Sequence, residues 1–279
     1  MVKISIITIN YNNATGLQKT FESIKAQQYS DMEYIVIDGG SSDNSIDVIK
    51  GNESIIDKWV SEKDKGMYNA MNKGIKMAQG EYLLFLNSGD HFYKNEVLIE
   101  NHKEFANYDL IAFDIHCLGL GHDFIHKHPD ELQFSFLFEQ TFAHQSVLIK
   151  KSLFDTIGLY DENLKIVSDW KLFIHAVVAN STYKSVHNVL STFYFGGISS
   201  TGEGTFIRRR EREVVLQTEF SLYYIDYKLL EEQKRLLNSN RFKILAEIEK
   251  SPMARKIASF ILRSYIVLFS KQKLKNIIK

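Results

Sequence analysis

This sequence of 279 residues predicts an α/β fold, a Rossmann-like, mainly parallel sheet with helices on both faces, followed by a helical C-terminal extension. Three observations carry the prediction. Through the first 115 residues, short runs that are apolar at almost every position alternate with stretches of helical periodicity, the pattern of strands covered on both faces by crossover helices. Several of those runs end abruptly in small polar or acidic residues, as in EYLLFLNSGDHF (81–92), where Tyr82 to Leu86 give way to Asn87, Ser88, Gly89 and Asp90. Beyond the glycine-rich GGISSTGEG (196–204), nearly every segment has helical spacing.

The elements follow in order. KISIITI (3–9) is the first strand; Leu17, Phe21 and Ile24 then recur at i, i+4 and i+7, one face of a helix with Thr15 placed to cap it. EYIVID (33–38) is the second strand, and the turn-forming GGSSDNS leads into a short helix ending near Gly51. DKWVSE (57–62) is a third strand, 66–80 a helix stopped at Gly80, and 81–86 the fourth strand. A helix over about 95–106 and a strand over 109–115 complete the first half. In the second half, 130–140 reads as helix and 143–149 as strand. SDWKLFIHAVVA (168–179) is a helix with Asp169 in its first turn, and short strands follow around 182–187 and 191–196.

Composition narrows the function. Hydrophobic residues make up 44% and charged residues 24%, enough for one large domain with an appendage. The 34 basic and 34 acidic residues cancel, so no whole-molecule field draws the chain to nucleic acid. Cys117 stands alone, which excludes an intrachain disulfide and a cysteine-based zinc cluster and suits a reducing cytoplasm. The N-terminus enters the first strand without the basic start, long apolar core and cleavage site of a signal peptide. No apolar run approaches the roughly 18 residues needed to span a membrane. Charge is nevertheless uneven: Lys250 to Lys279 holds eight Lys or Arg and no Asp or Glu.

In doubly wound sheets, ligands bind at the carboxyl ends of the strands. Strand one ends in Thr8, Asn10 and Tyr11, strand two in Asp38 before Gly-Gly-Ser-Ser, and strand four in Ser88 and Asp90. An acid at any one of these places is more often a turn residue or a helix cap; three polar ends on one rim point to a ligand. Only Gly16 follows strand one, so the dinucleotide-binding glycine fingerprint is missing, and there is no Walker A sequence. Asp38 is suited to hydrogen bonds from a base or ribose. Asp90 is suited to Mg²⁺ or Mn²⁺, hard ions that share oxygen ligands with substrate phosphates. His122, His126 and His128 lie on one face of a strand, but with no nearby acid or cysteine pattern they read as an edge strand or solvated loop rather than a metal site.

Together, SIITINYNN, YIVIDGGSSDNS, DKGMYNAMNKGIKMAQGEYLLFLNSGD and HQSVLIKKSLFDTIGLYDENLKIVSDWKLF resemble the inverting glycosyltransferases of family 2, with the GT-A nucleotide-diphospho-sugar transferase fold, over about residues 1–200. The resemblance implies a UDP-, GDP- or dTDP-sugar donor, a divalent cation, and a glycan or lipid-linked acceptor of surface polysaccharide synthesis. It implies that Thr8, Asn10 and Asp38 face the nucleoside and that Asp64, in SEKDKG, is a further donor-binding acid. The family's metal motif here reads Ser88-Gly89-Asp90, which retains only its final, metal-binding acid. The general base falls on Asp169, where the usual Glu-Asp pair is Ser168-Asp169. His144 and Gln145 match an HQ segment between donor and acceptor sides, and Gly196 and Gly197 are candidates for a loop over the pyrophosphate. On this basis residues 1–204 form the catalytic domain, with a donor-binding half to 115 and an acceptor-side half from 116, and 205–279 a helical region.

Without the resemblance, Asp169 reads as an acid stabilising its helix through the dipole. The replacement of two family acids by Ser88 and Ser168 keeps open a second reading, a sugar-nucleotide-binding or scaffold protein of this fold without catalysis. An oxidoreductase is disfavoured by the missing glycine fingerprint. In the tail, Ser251-Pro252 opens a helix. Its IASFILRSYIVLF (257–269) is apolar except for a strip through Ser259 and Arg263, with Lys256, Lys271, Lys273, Lys275 and Lys279 around it. That pattern predicts a helix lying in an anionic membrane surface, placing the protein at the inner face of the plasma membrane; the alternative is an apolar face packed on the catalytic domain or on a second subunit of an oligomer.

Overall fold

The computed structural model describes residues 3–197 and 201–269. The chain divides into two compact units, Met1–Val215 and Leu216–Lys279.

The first unit is built on a nine-stranded sheet. Strands β1 (Ile4–Asn10), β2 (Met32–Asp38), β3 (Lys58–Ser61) and β4 (Tyr82–Phe85) lie parallel in the order β3-β2-β1-β4. The sheet continues through β8 (Val147–Lys150), β6 (Leu110–Gly119), β9 (Tyr183–Tyr194) and β5 (His91–Phe92), with β7 (His122–His126) paired to β6. Only β5, β7 and β8 run against the rest. Every residue of β1 is buried, the polar Ser5, Thr8 and Asn10 included. Helix α1 (Ala14–Lys25) packs the expected Leu17, Phe21 and Ile24 on the sheet, where Phe21 meets the Tyr34 ring edge-on at 5.8 Å. Full burial of each such side chain contributes about 1.5–3 kcal/mol.

The remaining helices of this unit include α2 (Ser45–Gly51), α3 (Met67–Met77), α4 (Val97–Asn101), α5 (Phe134–Glu139), α6 (Leu153–Ile157) and α7 (Ser168–Val178). The cap of α1 is Asn13 rather than Thr15: its Oδ1 accepts the Gly16 N–H at 3.1 Å, and its amide donates to the Ser88 carbonyl at 3.0 Å. The two short strands expected near 182–187 and 191–196 are one strand, β9. A bulge absorbs the polar His187-Asn188 break, since Phe113 pairs with Val186 and Asp114 with Val189. Residues 144–146 form a 3₁₀ turn before β8 begins at Val147. His122 and His126 lie on the edge strand β7, whereas His128 is buried beyond it. There its Nδ1 donates to the Phe113 carbonyl at 2.6 Å and its Nε2 accepts the Ala143 N–H at 3.1 Å, and burial pushes its pKa down to about 4, so the ring is neutral.

Helix α8 (Gly202–Glu219) extends the first unit to Val215, eleven residues past the boundary read from the glycine-rich segment. Glu211 fastens it there: its carboxylate accepts the N–H groups of Lys165, Ile166 and Val167 at 2.7, 3.0 and 3.3 Å. The second unit contains α9 (Ser221–Leu237), α10 (Asn240–Glu249) and α11 (Pro252–Phe269). Ser251 opens α11, its Oγ accepting the Ala254 N–H at 3.3 Å. Neither α9 nor α10 buries a residue. No described helix is long and apolar enough to cross a membrane.

Candidate active site

The carboxyl ends of β1, β2 and β4 form one rim. Thr8 sits below it, fully buried, donating to the Leu86 carbonyl at 2.7 Å and accepting from the Tyr34 hydroxyl at 2.9 Å; it ties β1 to β4 and presents nothing outward. Asn10 and Asp38 pair across the strand ends at 2.8 Å. Asp38 also accepts from the hydroxyls of Ser41 at 2.6 Å and Ser61 at 2.7 Å, and from the N–H groups of Gly40 and Ser41 at 3.1 and 2.9 Å. Burial, the largest single influence, raises its pKa, but the hydrogen bonds from Ser41, Ser61 and Asn10 together outweigh it and leave the carboxyl below its usual range. Both Asp38 oxygens are thus committed to holding the Gly39–Ser42 loop, and a base or ribose reaches this acid only by displacing a hydroxyl.

The open face of that corner is made by Tyr11, Gly39 and Asp64. Tyr11 is 68% exposed. A Cβ on Gly39 would stand 3.0 Å from Asp64 Oδ2 and 3.2 Å from the Tyr11 ring, so only glycine lets the backbone lie between them. Asp64 is ion-paired with Lys73, which also binds Glu62 at 2.8 Å. Burial first, then Glu62 and Asp38, push the Asp64 pKa up despite Lys73.

After β4, the segment Asn87–Asp90 folds back on α1. Gly89, at φ +102, takes a conformation that any side chain would strain. Its N–H donates to Thr20 Oγ1 at 3.0 Å, and Ser88 is held by Asn13. Asp90 is 7% exposed, and its Oδ2 accepts from Gln145 Nε2 at 3.1 Å. Burial raises its pKa to about 6, against the smaller lowering effects of Gln145 and His144. No three His, Cys, Asp or Glu residues cluster to hold a metal among the described residues. Asp90 is the residue here that would hold a hard cation, which would take its other oxygens from substrate phosphate and water.

Asp169 lies in the first turn of α7, where the helix dipole favours a carboxylate. Its Oδ1 accepts the Trp170 N–H at 2.8 Å and stands 3.1 Å from the Tyr68 hydroxyl, which also donates to the Ile166 carbonyl at 2.7 Å. Its Oδ2 is 3.3 Å from His144 Nδ1, and His144 Nε2 is 3.0 Å from the Asn87 amide nitrogen. The Asn87 amide nitrogen can only donate to Nε2, which leaves the Nδ1–H to donate to Asp169. The adjacent residues His144 and Gln145 thus link the two acids, one to Asp169 and the other to Asp90. His144, Gln145 and Asp169 border one cavity of about 300 Å³, walled mainly by Phe142, Trp170, Phe193 and Phe195. Gly196 and Gly197 form the turn after β9, Gly196 at φ +129; Ser199 and Ser200 of that glycine-rich segment lie outside the described residues.

Asn87, Tyr68, Ser41 and Ser61 are first identified by the structure. Ser41 alone had a local signal, its place in the turn after β2; the others meet partners 23 to 101 residues away. Glu211, in the middle of an exposed-looking helix, gives no sign in the sequence. Replacing Glu211 by Gln removes the charge that binds three N–H groups leading into α7. The expected result is a loss of about 1–3 kcal/mol of stability, measured by urea unfolding, together with a lowered turnover number.

The family model described as glycosyl transferase family 2 matches residues 5–156. An uncharacterized glycosyltransferase of Mycobacterium tuberculosis is 34% identical over 206 residues, covering 72% of this chain and 78% of the relative. A PGL/p-HBAD biosynthesis glycosyltransferase of Mycobacterium bovis is 29% identical over 208 residues, covering 71% and 79%. Among solved structures, S. aureus TarS 1–349 in complex with UDP-GlcNAc superposes with a TM-score of 0.62 at 16% identity, covering 78% of this chain and 67% of that one. Mannosyltransferase PcManGT from Pyrobaculum calidifontis, in complex with GDP-Man and Mn²⁺, gives 0.56 at 14% identity, covering 97% and 88%. The fold is that of the GT-A glycosyltransferases. This chain belongs to glycosyl transferase family 2 and is a glycosyltransferase.

Proposed function

We propose that the chain transfers a sugar from a nucleoside-diphosphate donor to a hydroxyl acceptor in one inverting displacement assisted by Mg²⁺ or Mn²⁺. The observation that carries this reading is the His144-Gln145 turn, whose adjacent side chains join Asp169, on the cavity, to Asp90. In this reading Tyr11, Gly39 and Asp64 receive the nucleoside, Asn10 and Asp38 brace that corner, and Ser88 flanks the diphosphate. Asp90 holds the cation, whose charge when bound offsets that developing on the leaving diphosphate. Asp169 Oδ2 removes the proton of the acceptor hydroxyl as its oxygen attacks the anomeric carbon from the face opposite the diphosphate. His144 keeps Oδ2 oriented, and the N–H of Trp170 keeps Oδ1 engaged, so the basic oxygen faces the cavity. A retaining route through a covalent sugar would call for a second carboxylate within about 5–5.5 Å; neither Asp90, held by Gln145, nor any other acid borders the cavity with Asp169. The relatives bind or are named for sugar nucleotides and glycolipid synthesis, which supports a surface glycan or glycolipid product. Incubating the full chain with UDP-, GDP- and dTDP-sugars, with and without Mn²⁺, tests the reading. Metal-dependent release of a nucleoside diphosphate is expected; tight binding of a sugar nucleotide without turnover would identify a scaffold instead.

We place this reaction at an anionic membrane surface, reached through the tail. On α11 the exposed Phe260, Val267 and Leu268 are flanked by Arg255, Lys256 and Arg263 with no acid in the helix. The lysines at 271, 273, 275 and 279 add charge but lie outside the described residues. Deleting residues 251–279 is expected to abolish cosedimentation with vesicles containing phosphatidylserine while donor hydrolysis persists. Full-length protein that ignores such vesicles at low salt would point to a subunit contact.

A further inference from the structure

The cavity beside Asp169 has a character of its own. Phe142, Phe193, Phe195 and Trp170 offer ring faces and no hydrogen bond into it, since the Trp170 indole N–H is bound to the Leu137 carbonyl at 2.6 Å. Next to the base, His144 is engaged by Asp169 and Asn87 and the Gln145 amide nitrogen by Asp90, which leaves the Thr141 hydroxyl and the His126 ring as the uncharged polar side chains of the lining without a hydrogen bond. A fully hydroxylated hexose placed here would bury more hydroxyls than Thr141 and His126 can partner, at about 1–3 kcal/mol for each one left over. A ring with one apolar face meets no such cost and gains from the aromatic wall. Two arginines of α8 border the same cavity. Arg212 lies over the Trp170 ring at 4.8 Å and donates to the Gln140 carbonyl at 3.1 Å. Arg208, one helical turn earlier and half-buried, makes no hydrogen bond or ion pair with any described residue. A guanidinium on a cavity that holds a carboxylate base, yet not paired with it, is placed for an anion brought by the substrate.

We propose that the acceptor is an amphiphilic anion: a hydroxyl-poor ring lies against Phe142, Phe193 and Phe195, presents one hydroxyl to Asp169, and carries a phosphate or diphosphate that Arg208 binds. The proposal rests on the transferase reading above and names the acceptor class of that site. A ring of this kind is either a deoxysugar or an aryl alcohol, and both expose an apolar face beside a reactive hydroxyl.

The test uses the full chain with Mn²⁺ and whichever donor it hydrolyses. Four acceptors are compared: a 6-deoxyhexosyl phosphate, its neutral methyl glycoside, the matching hexosyl phosphate with a 6-hydroxyl, and 4-hydroxyphenyl phosphate. The expected result is that one phosphate-bearing, hydroxyl-poor ring exceeds the hexosyl phosphate in kcat/KM by about tenfold or more. Transfer to the aryl phosphate identifies an aromatic acceptor, and transfer to the deoxysugar phosphate a sugar. Arg208→Gln should raise KM for the favoured phosphate by about tenfold and leave kcat within about twofold, erasing the preference over the neutral glycoside. Equal or better use of the fully hydroxylated acceptor overturns the proposal, as does an Arg208→Gln effect of the same size on neutral and phosphorylated acceptors. Donor hydrolysis with transfer to none of the four also overturns it. No donor hydrolysis at all would instead sink the transferase reading itself.

Discussion

Replacing Asp90 by Asn is expected to remove metal-dependent turnover and, at the same time, to stabilise the ligand-free protein. Asp90 is buried, and its pKa is raised to about 6 from the ordinary 3.8. The folded state therefore favours the protonated acid. Its stabilising contribution is fully present below about pH 4 and is lost as pH rises through 6, so at neutral pH the ionised carboxylate is a cost of folding. Asn keeps an oxygen for the Gln145 amide and carries no charge. A gain on the order of 1–3 kcal/mol at pH 7.5, shrinking towards pH 4, is expected in urea unfolding of the two proteins. Turnover should fall by about 10²-fold or more, with Mn²⁺ no longer accelerating it. In the unsubstituted protein, donor-dependent Mn²⁺ affinity should weaken below pH 6, where protons compete for the same oxygen. A variant as metal-dependent as its parent would reduce Asp90 to a turn residue.

Asp169→Asn is expected to lower transfer by about 10²–10⁴-fold while donor affinity stays the same, because the lost group acts on the acceptor's proton. Asn still accepts the Trp170 N–H and the His144 proton, so the cavity keeps its shape. Calorimetric titration with the donor, beside transfer rates, separates the two roles. A variant that transfers normally but unfolds more easily by about 0.3–1 kcal/mol would show that Asp169 serves only the dipole of α7.

The sequence is most legible where burial is complete. The strands β1, β2 and β4 fall within a residue or two of their apolar runs because both faces are covered and most of their residues are apolar. The edge of the sheet is harder to read. Strand β7 and the distal part of β6 alternate and remain partly exposed, and β5 is two residues long, so none carries an apolar run of its own. Helix α4 stops at Asn101, and a 3₁₀ turn over His102–Glu104 carries the chain on to just short of the expected 106. In the site, the rim acids stand out because a carboxylate after a buried strand is conspicuous. The surroundings that decide their chemistry do not stand out. That Asp38 is saturated by Ser41, Ser61 and Asn10, and that Thr8 faces inward, follows from register and packing between distant segments.

A single metal-assisted displacement served by Asp90 and Asp169 fixes the anomeric form of the sugar as it leaves the donor. Proton NMR spectra of the full chain with Mn²⁺ and an α-linked sugar nucleotide, recorded before mutarotation, show which anomer is released when water takes the acceptor's place. The account predicts the β-anomer first, at a rate that depends on the metal and falls in Asp169→Asn. The α-anomer first, or release indifferent to both metal and Asp169, would contradict it.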